Sequence, residues 1–340
     1  MRNRLLAILV FMGTYSYGQV TDLPLETYAY DTNYIVNYGN LLAVRVVAPR
    51  RLYDFRLKNR QTGDLIKYRP NLQTAFGLGF TYRWLALDVV FNPKWNKKKT
   101  AKYGETREFN LKGTLYLKKY MLDVLLSSYK GMHMANARDF NLLWDSQYPY
   151  RPDIRSSNFA LSFTIPSNYK KYSPKTTIQL DGKMKKSAGS VMYISTLYAY
   201  SLKADSTIVP AGLAASFSPY AAITKMNMLH LQQSVGYAYT FIHQNFFLTL
   251  SAFPGVSLAM GTVRSDAGKY NPVNLNFILS SKNSLGYNTR RWYAGMYFIY
   301  RYQNDKLTDD LALNYNLGEW RLFIAYRLHA PYILHAVIPK

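Results

Sequence analysis

Apolar and polar residues alternate one by one along most of this chain. In residues 178–185, Ile178, Leu180 and Met184 fall on one side, and every residue between them is polar, charged or glycine. A β-strand points successive side chains to opposite faces, so each such segment has one apolar and one water-facing side. About a dozen segments of this kind, each roughly ten residues long, are typical of a transmembrane β-barrel.

The alternating segments recur along nearly the whole chain. They cover residues 42–46, 53–58, 76–82, 85–91, 111–118, 122–127, 158–165, 178–185, 229–241, 246–251, 274–282, 291–301 and 319–328. The first two segments form either a hairpin or a terminal extension packed in the lumen. Tight turns and long loops should alternate along an antiparallel barrel. Across residues 186–226 this alternation breaks, so one strand there is miscounted. The expected fold is all-β, a single antiparallel transmembrane β-barrel of about twelve strands, with ten to fourteen possible.

Residues 1–18 have the pattern of a secretory signal peptide. Arg2 and Arg4 precede an apolar run at residues 5–12, and small residues at Ser16 and Gly18 precede Gln19. The run is too short to span a bilayer as a helix. We therefore expect a signal peptide at 1–18, a periplasmic lead-in at 19–40, the barrel at 41–329 and a C-terminal tail at 330–340.

The composition agrees with an exported barrel. The chain contains 32 Tyr, 17 Phe and 5 Trp, which suit either the core of a secreted β-sandwich or aromatic girdles at the two membrane interfaces. The alternation exposes more apolar surface than one sandwich core accounts for, which favours the barrel. The absence of Cys excludes a disulfide framework, a thiolate metal site and a Cys nucleophile.

The net charge of +23 requires anionic partners. Nucleic acid is the usual partner of so basic a chain, but an exported barrel meets lipopolysaccharide phosphates and anionic solutes first. We expect outer-membrane lipid and lipopolysaccharide as partners, no nucleic acid, and the barrel-assembly machinery during insertion. The oligomeric state is left open.

Charged residues on the polar faces are candidates for the lumen. One interpretation is an anion-preferring, porin-like pore, and the alternative is a ladder of salt bridges that fills a small barrel. The candidate lumen charges are Arg45, Arg56, Asp88, Lys112, Asp123, Asp181, Lys183, Arg291, Arg301, Arg321 and Arg327.

Long connections at residues 92–106, 131–155 and 204–225 are candidates for surface loops that bind ligands. Lys97, Lys98, Lys99 and Arg151 are the candidate anion-binding residues of these loops, with lipopolysaccharide phosphates as expected ligands. The alternative is a solvated charge run on a mobile loop.

An enzyme is the less favoured interpretation. A lipid acyl hydrolase or transferase requires a Ser nucleophile with a His base. His230 and Ser234 share a strand face but lie more than about 10 Å apart at ~3.3 Å per residue. The chain also has no metal-ligand spacing and no phosphate-binding Gly loop. We therefore expect no enzyme activity, no catalytic residue, no metal and no cofactor.

Three short motifs carry a resemblance to a known family: residues 68–71 (Tyr-Arg-Pro-Asn), 151–153 (Arg-Pro-Asp) and 185–190 (Lys-Lys-Ser-Ala-Gly-Ser). In these motifs the chain resembles a family of outer-membrane barrel proteins from gut and environmental Gram-negative bacteria, classed as a domain of unknown function. The resemblance runs from about Tyr30 to Leu328. It implies an outer-membrane location and supplies neither catalytic residues nor a substrate.

The function expected from the sequence is an outer-membrane barrel that conducts or binds anionic solutes or lipids at the cell surface. The alternative is a structural or interaction barrel with a filled lumen, whose basic loops contact lipopolysaccharide or a partner. The third possibility is the lipid-modifying enzyme.

The facing of the alternating segments is testable. Replacing Leu115 or Leu248 by Arg places a charge on the lipid face, which costs about 2–4 kcal/mol near the bilayer midplane. We expect these variants to insert poorly in a heat-shift gel, whereas Lys112→Leu inserts like the parent chain. Equal behaviour of the two kinds of variant would show that the facing assignment is wrong.

Overall fold

A computed structural model describes residues 30–83, 85–91, 96–117, 119–142, 147–179 and 182–331. The expected signal peptide at 1–18 lies outside these residues, as do much of the lead-in and of the C-terminal tail. None of the described helices is long and apolar enough to cross a membrane.

The described chain forms a closed ring of antiparallel strands. The ring consists of β2 (Leu41–Asn59), β4 (Phe76–Tyr82), β5 (Leu85–Phe91), β6 (Arg107–Leu117), β7 (Tyr120–Met134), β8 (Tyr150–Pro166), β10 (Ala188–Lys203), β11 (Ile223–His243), β12 (Phe246–Ser265), β14 (Val273–Asn288), β15 (Trp292–Lys306) and β16 (Leu311–His329). β11 pairs with both β10 and β12, and β2 pairs with both β4 and β16, so the strand order closes into a ring. The expected twelve-stranded barrel is confirmed.

Short elements lie off this ring. β1 (Ile35–Asn37) pairs with β9 (Gly182–Met184), β3 (Leu65–Arg69) pairs with β2 and β7, and β13 (Gly268–Tyr270) pairs with β12. The helix α1 (Lys97–Tyr103) lies between β5 and β6. Short 3-10 turns occur at Ala137–Phe140, Ala211–Ser216 and Pro219–Ala221, and a π-helical turn occurs at Lys175–Gln179.

The two faces of each alternating segment become the outer and inner faces of the barrel wall. On β12, Leu248 and Leu250 are exposed on the outer face, whereas Phe247 and Thr249 are buried on the inner face. Tight turns, such as residues 244–245, join strands at one end of the barrel, and most of the longer connections join them at the other. We call these the turn end and the loop end.

Residues 178–185 are not a strand of the barrel wall, so that prediction was wrong. β9 within them pairs only with β1, and the preceding residues form the π-helical turn. The strand missed between 186 and 226 is β10. Its inner face carries Met192, Ile194 and Tyr198, and its outer face carries Val191 and Tyr193, so both faces are largely apolar and the alternation is hidden.

The β1–β9 sheet fills the turn end of the lumen. Ile35 and Met184 are buried against Met192, Ile194 and Phe253, all from the inner face of the wall. The Asn288 side chain of β14 donates a hydrogen bond to the Gly182 carbonyl at 2.8 Å. The lead-in from Tyr30 onward therefore contributes to the barrel interior.

An apolar cluster fills the loop end of the lumen. Tyr200 stacks on Tyr315 with ring centroids 4.7 Å apart, and both pack in one cluster with Leu213 and Phe217 of the connection after β10. The Tyr68 hydroxyl donates to the Ile208 carbonyl at 2.8 Å, which holds the same connection over the lumen.

This apolar interior corrects the expected position of Arg56. At the loop end of β2, Phe55 and Leu57 are fully buried in the lumen cluster, so Arg56 points outward. Its Nε lies 2.8 Å from Oδ1 of Asp54, which also bonds Asn316. The prediction assigned the polar face of each strand to the lumen. At the loop end of β2, the apolar face lines the lumen and the polar face points outward.

Neighbouring residues on β2 test this reversal. Leu57→Ala removes a fully buried side chain, and we expect a loss of about 2–5 kcal/mol in the free energy of unfolding. Arg56→Ala removes only an outward ion pair and should cost less than about 1 kcal/mol. Guanidinium unfolding in detergent measures both, and a larger loss for Arg56→Ala would contradict the described facing.

Candidate lumen site

Between the two filled ends, ten charged side chains meet on the inner wall. This lumen charge cluster consists of Arg45, Arg51, Asp88, Glu108, Lys112, Asp123, Lys282, Arg301, Glu319 and Arg321. Strands from both halves of the chain contribute to it, so it forms only when the ring closes between β2 and β16.

Most members of the cluster are neutralised in direct ion pairs. Arg45 Nη2 lies 2.7 Å from Asp88 Oδ1, and Arg321 also bonds Asp88. Arg321 Nη2 lies 2.7 Å from Oε1 of Glu319. Buried charges require such pairing, because transfer out of water is costly for each of them.

Three further pairs complete the cluster. Lys282 Nζ of β14 lies 2.8 Å from Asp123 Oδ2 of β7. Arg51 of β2 contacts two acids, Glu108 at 3.3 Å and Glu319 at 3.7 Å. The Lys282–Asp123 contact crosses the lumen, since β14 and β7 are not neighbours in the ring.

Gly79 leaves room for the Arg45–Asp88 pair. A Cβ built on Gly79 would lie 2.0 Å from Asp88 Oδ1 and 2.6 Å from Arg45 Nε. Any larger residue on this inner-facing position of β4 would displace the ion pair.

Lys112 and Arg301 differ from the other cations of the cluster. Within the described residues, neither forms an ion pair with a carboxylate. Lys112 Nζ lies 5.5 Å from the ring centroid of Tyr297, and the Arg301 guanidinium lies 5.7 Å from that of Tyr198. The Nη1 atom of Arg301 is buried and has no hydrogen-bond partner among the described residues.

A cavity of about 140 Å³ lies within the cluster. Lys112 and Arg301 both line it, together with Asp88, Asn110 and Asp123. Apolar side chains such as Val90 and Leu317 line the rest. The cavity therefore presents, in a partly apolar enclosure, two cations that form no direct ion pair with a carboxylate of the described residues.

The structure brings together six of the predicted lumen charges: Arg45, Asp88, Lys112, Asp123, Arg301 and Arg321. Arg327 also points inward, but at the turn end, where it lies over the rings of Tyr38 and Tyr293 at 4.5 and 4.4 Å.

Two other predicted lumen residues are placed differently. Arg291 is exposed in the turn between β14 and β15, so its prediction as a lumen charge was wrong. Lys183 belongs to β9 and donates to Asn245 at the turn end, away from the cluster. Asp181 lies outside the described residues.

Sequence reasoning missed Arg51, Glu108 and Lys282. Lys282 falls on the polar face of its segment, so the alternation of apolar and polar residues could have identified it as a lumen charge. Arg51 and Glu108 lie just outside the alternating segments at residues 53–58 and 111–118. The alternation therefore assigns neither residue to the inner or the outer face.

His230 is the centre of a buried polar network. Its Nδ1 lies 2.6 Å from Gln303 Nε2 and 3.4 Å from Ser257 Oγ, and its Nε2 lies 2.9 Å from the Tyr315 hydroxyl and 3.5 Å from Asp305 Oδ2. The neighbouring strand β12 brings Ser257 to this His, and β15 brings Asp305 from across the lumen, a set of partners that the sequence did not reveal. His230, Ser257 and Asp305 are each 0% exposed, so these contacts form a packed polar network inside the barrel.

The predicted loop residues do not form one site. Lys97, Lys98 and Lys99 are exposed on α1. Arg151 lies apart from them, with Nη2 2.7 Å from Asp153 Oδ2 and further bonds to Ser206 and Thr207. The bonds to Ser206 and Thr207 tie β8 to the connection after β10.

No cluster of His, Asp or Glu side chains suited to a metal ion occurs in the part of the chain that the structure describes.

Solved structures with a similar fold are outer-membrane proteins. The outer-membrane protease OmpT of Escherichia coli is 7% identical, with a TM-score of 0.37 over 89% of this chain and 100% of that chain. The toluene transporter TodX of Pseudomonas putida is 7% identical, with a TM-score of 0.28 over 85% and 90%. The attachment invasion locus protein Ail of Yersinia pestis, in complex with a heparin analogue, is 11% identical, with a TM-score of 0.20 over 85% and 99%.

The sequence led us to exclude an enzyme. That exclusion was wrong, because a protease is among the similar structures. At these identities and TM-scores the likeness assigns no role to this chain, so enzymatic status is unresolved.

No curated protein matches the sequence. A family model does match, over residues 29–328, which is most of the chain and covers the described barrel strands up to the penultimate residue of β16. The chain therefore belongs to the DUF4421 family, a domain of unknown function.

Proposed function

We propose that this protein is an outer-membrane barrel that binds an anionic group in the lumen cavity, at Lys112 and Arg301. The observation that carries the proposal is that these two cavity-lining cations have no carboxylate partner within the described residues, whereas the other three, Arg51, Lys282 and Arg321, are paired. We include in the proposal export by the signal peptide and residence in a Gram-negative outer membrane.

Electrostatics supports an anion at this position. A cation held away from water is destabilising unless it is paired and hydrogen-bonded. The buried Nη1 of Arg301 requires a hydrogen-bond acceptor, and a phosphate or carboxylate oxygen supplies one. The cavity of about 140 Å³ resembles in size the engineered cavities of ~150 Å³ that hold one benzene, so it suits one small headgroup.

The filled ends favour binding over conduction. The β1–β9 sheet occupies the turn end of the lumen and the apolar cluster occupies the loop end. A wide aqueous path needs a lumen that side chains do not fill.

A second candidate function is contact with lipopolysaccharide phosphates through α1. Its Lys97, Lys98 and Lys99 are exposed in a single turn, on the loop side of the barrel. Such lysines gain charge-assisted hydrogen bonds from phosphate without a preformed pocket.

Substitution of the unpaired cations tests the lumen site. A hydrogen bond to a charged group contributes about 1.5–3 kcal/mol, so Lys112→Met or Arg301→Met should raise the Kd for inorganic phosphate roughly ten- to hundredfold. Titration calorimetry of the refolded barrel in non-ionic detergent measures this change.

Lys98→Met is the matched control, because Lys98 is an exposed lysine outside the cavity. We expect its Kd to stay within about twofold of the parent value. If Lys98→Met weakened binding and Lys112→Met did not, phosphate would bind at α1 and the second candidate would replace the first.

A further inference from the structure

The seam between β5 and β6 is only partly paired. Leu85–Leu87 of β5 pair with Gly113–Leu115 of β6, and beyond this the described residues of the two strands have no register partners in each other. β5 pairs with β4 along its whole length, and β6 pairs with β7 along its whole length. The gap in this ladder lies beyond Leu87 of β5 and Gly113 of β6, and we call it the β5–β6 seam.

The outer rim of this seam is apolar. Val89 and Phe91 of β5 are 50% and 62% exposed, and Phe109 and Leu111 of β6 are 59% and 43% exposed. These side chains continue the apolar outer surface of the barrel, so lipid covers the seam from outside.

The inner rim of the seam is the lumen cavity. The inward residues of the unpaired stretches, Asp88 and Val90 on β5 and Asn110 and Lys112 on β6, all line the cavity. Lys112 is the first residue of β6 beyond the last paired position, Gly113. The unpaired cation is thus placed at the point where the two strands separate.

An unpaired strand edge is unusual at membrane depth. Backbone N–H and C=O groups in the hydrocarbon region require partners, because lipid supplies none. A seam that ends beside a polar cavity can obtain partners from water or from a ligand on its inner side. A ligand with an alkyl chain would otherwise have to pass the filled ends of the lumen.

We propose that the β5–β6 seam is a lateral portal for an anionic amphiphile from the bilayer. The headgroup binds at Lys112 and Arg301, and the alkyl chain passes between Val89 and Leu111 into the lipid. This inference rests on the proposed anion site and adds the class of ligand and its route of entry.

A tether across the seam tests the route. The chain has no Cys, so Val89→Cys/Leu111→Cys introduces a unique pair on the outer rim. A short bis-maleimide is attached after folding, which keeps assembly of the barrel separate from closure of the seam. Leu85→Cys/Leu115→Cys is the matched control, because these positions are already paired across the same two strands.

Two probes distinguish the route from the site. Dodecyl phosphate is added to the barrel in phosphatidylcholine nanodiscs, and inorganic phosphate is added to the same sample, with phosphorus NMR as the readout. We expect the Val89/Leu111 tether to slow dodecyl phosphate binding at least tenfold and to leave inorganic phosphate binding unchanged. The Leu85/Leu115 tether should change neither.

Two other results would each contradict one part of the proposal. Equal rates of dodecyl phosphate binding with and without the Val89/Leu111 tether would overturn the portal and leave the anion site standing. Failure of both probes to bind the untethered barrel would overturn the anion site itself, and the ligand class with it.

Discussion

Closure of the backbone hydrogen-bond ladder is the constraint on which this structure depends. The bilayer core offers no partner to an unpaired peptide group, so the strands must return to their starting point. The ring closes where β16 pairs with β2, from Leu41 opposite His329 to Asn59 opposite Leu311. This pairing joins the two ends of the described chain, and the lumen charge cluster exists only because of it.

A closed ring of this size has an interior that must be filled. The chain uses apolar side chains at both ends and ion pairs between them. The β1–β9 sheet brings residues from before the first wall strand and from the connection after β8 into one plug. The charged middle layer is nearly self-neutral, so Lys112 and Arg301, which have no acidic partner within the described residues, define where an anion would be stabilised.

The sequence predicted the class of fold and the number of strands because lipid-facing positions impose a strict period of two. It did not predict β10, whose inner and outer faces are both apolar. It also assigned Arg56 to the lumen, because the polar face is the inner face only where the interior is polar. At the loop end, Phe55 and Leu57 fill the lumen and the polar residues point outward.

The candidate site was predictable as a set of residues but not as an arrangement. Alternation placed Asp88, Lys112 and Arg321 on inner faces. Which of these charges are paired depends on contacts across the lumen, such as Lys282 with Asp123, between strands far apart in sequence. Shear and strand register decide such contacts, and one sequence does not specify them.

Backbone hydrogen exchange in lipid nanodiscs tests the account most directly, because it measures the ladder itself. The account predicts that the amides of β6 that face β5, within residues 107–112, exchange within minutes. Amides at the same depth on β15 and β16, which are paired on both sides, should remain protected for hours. Uniform slow exchange along β5 and β6 would contradict it, since the seam would then be as closed as the rest of the wall.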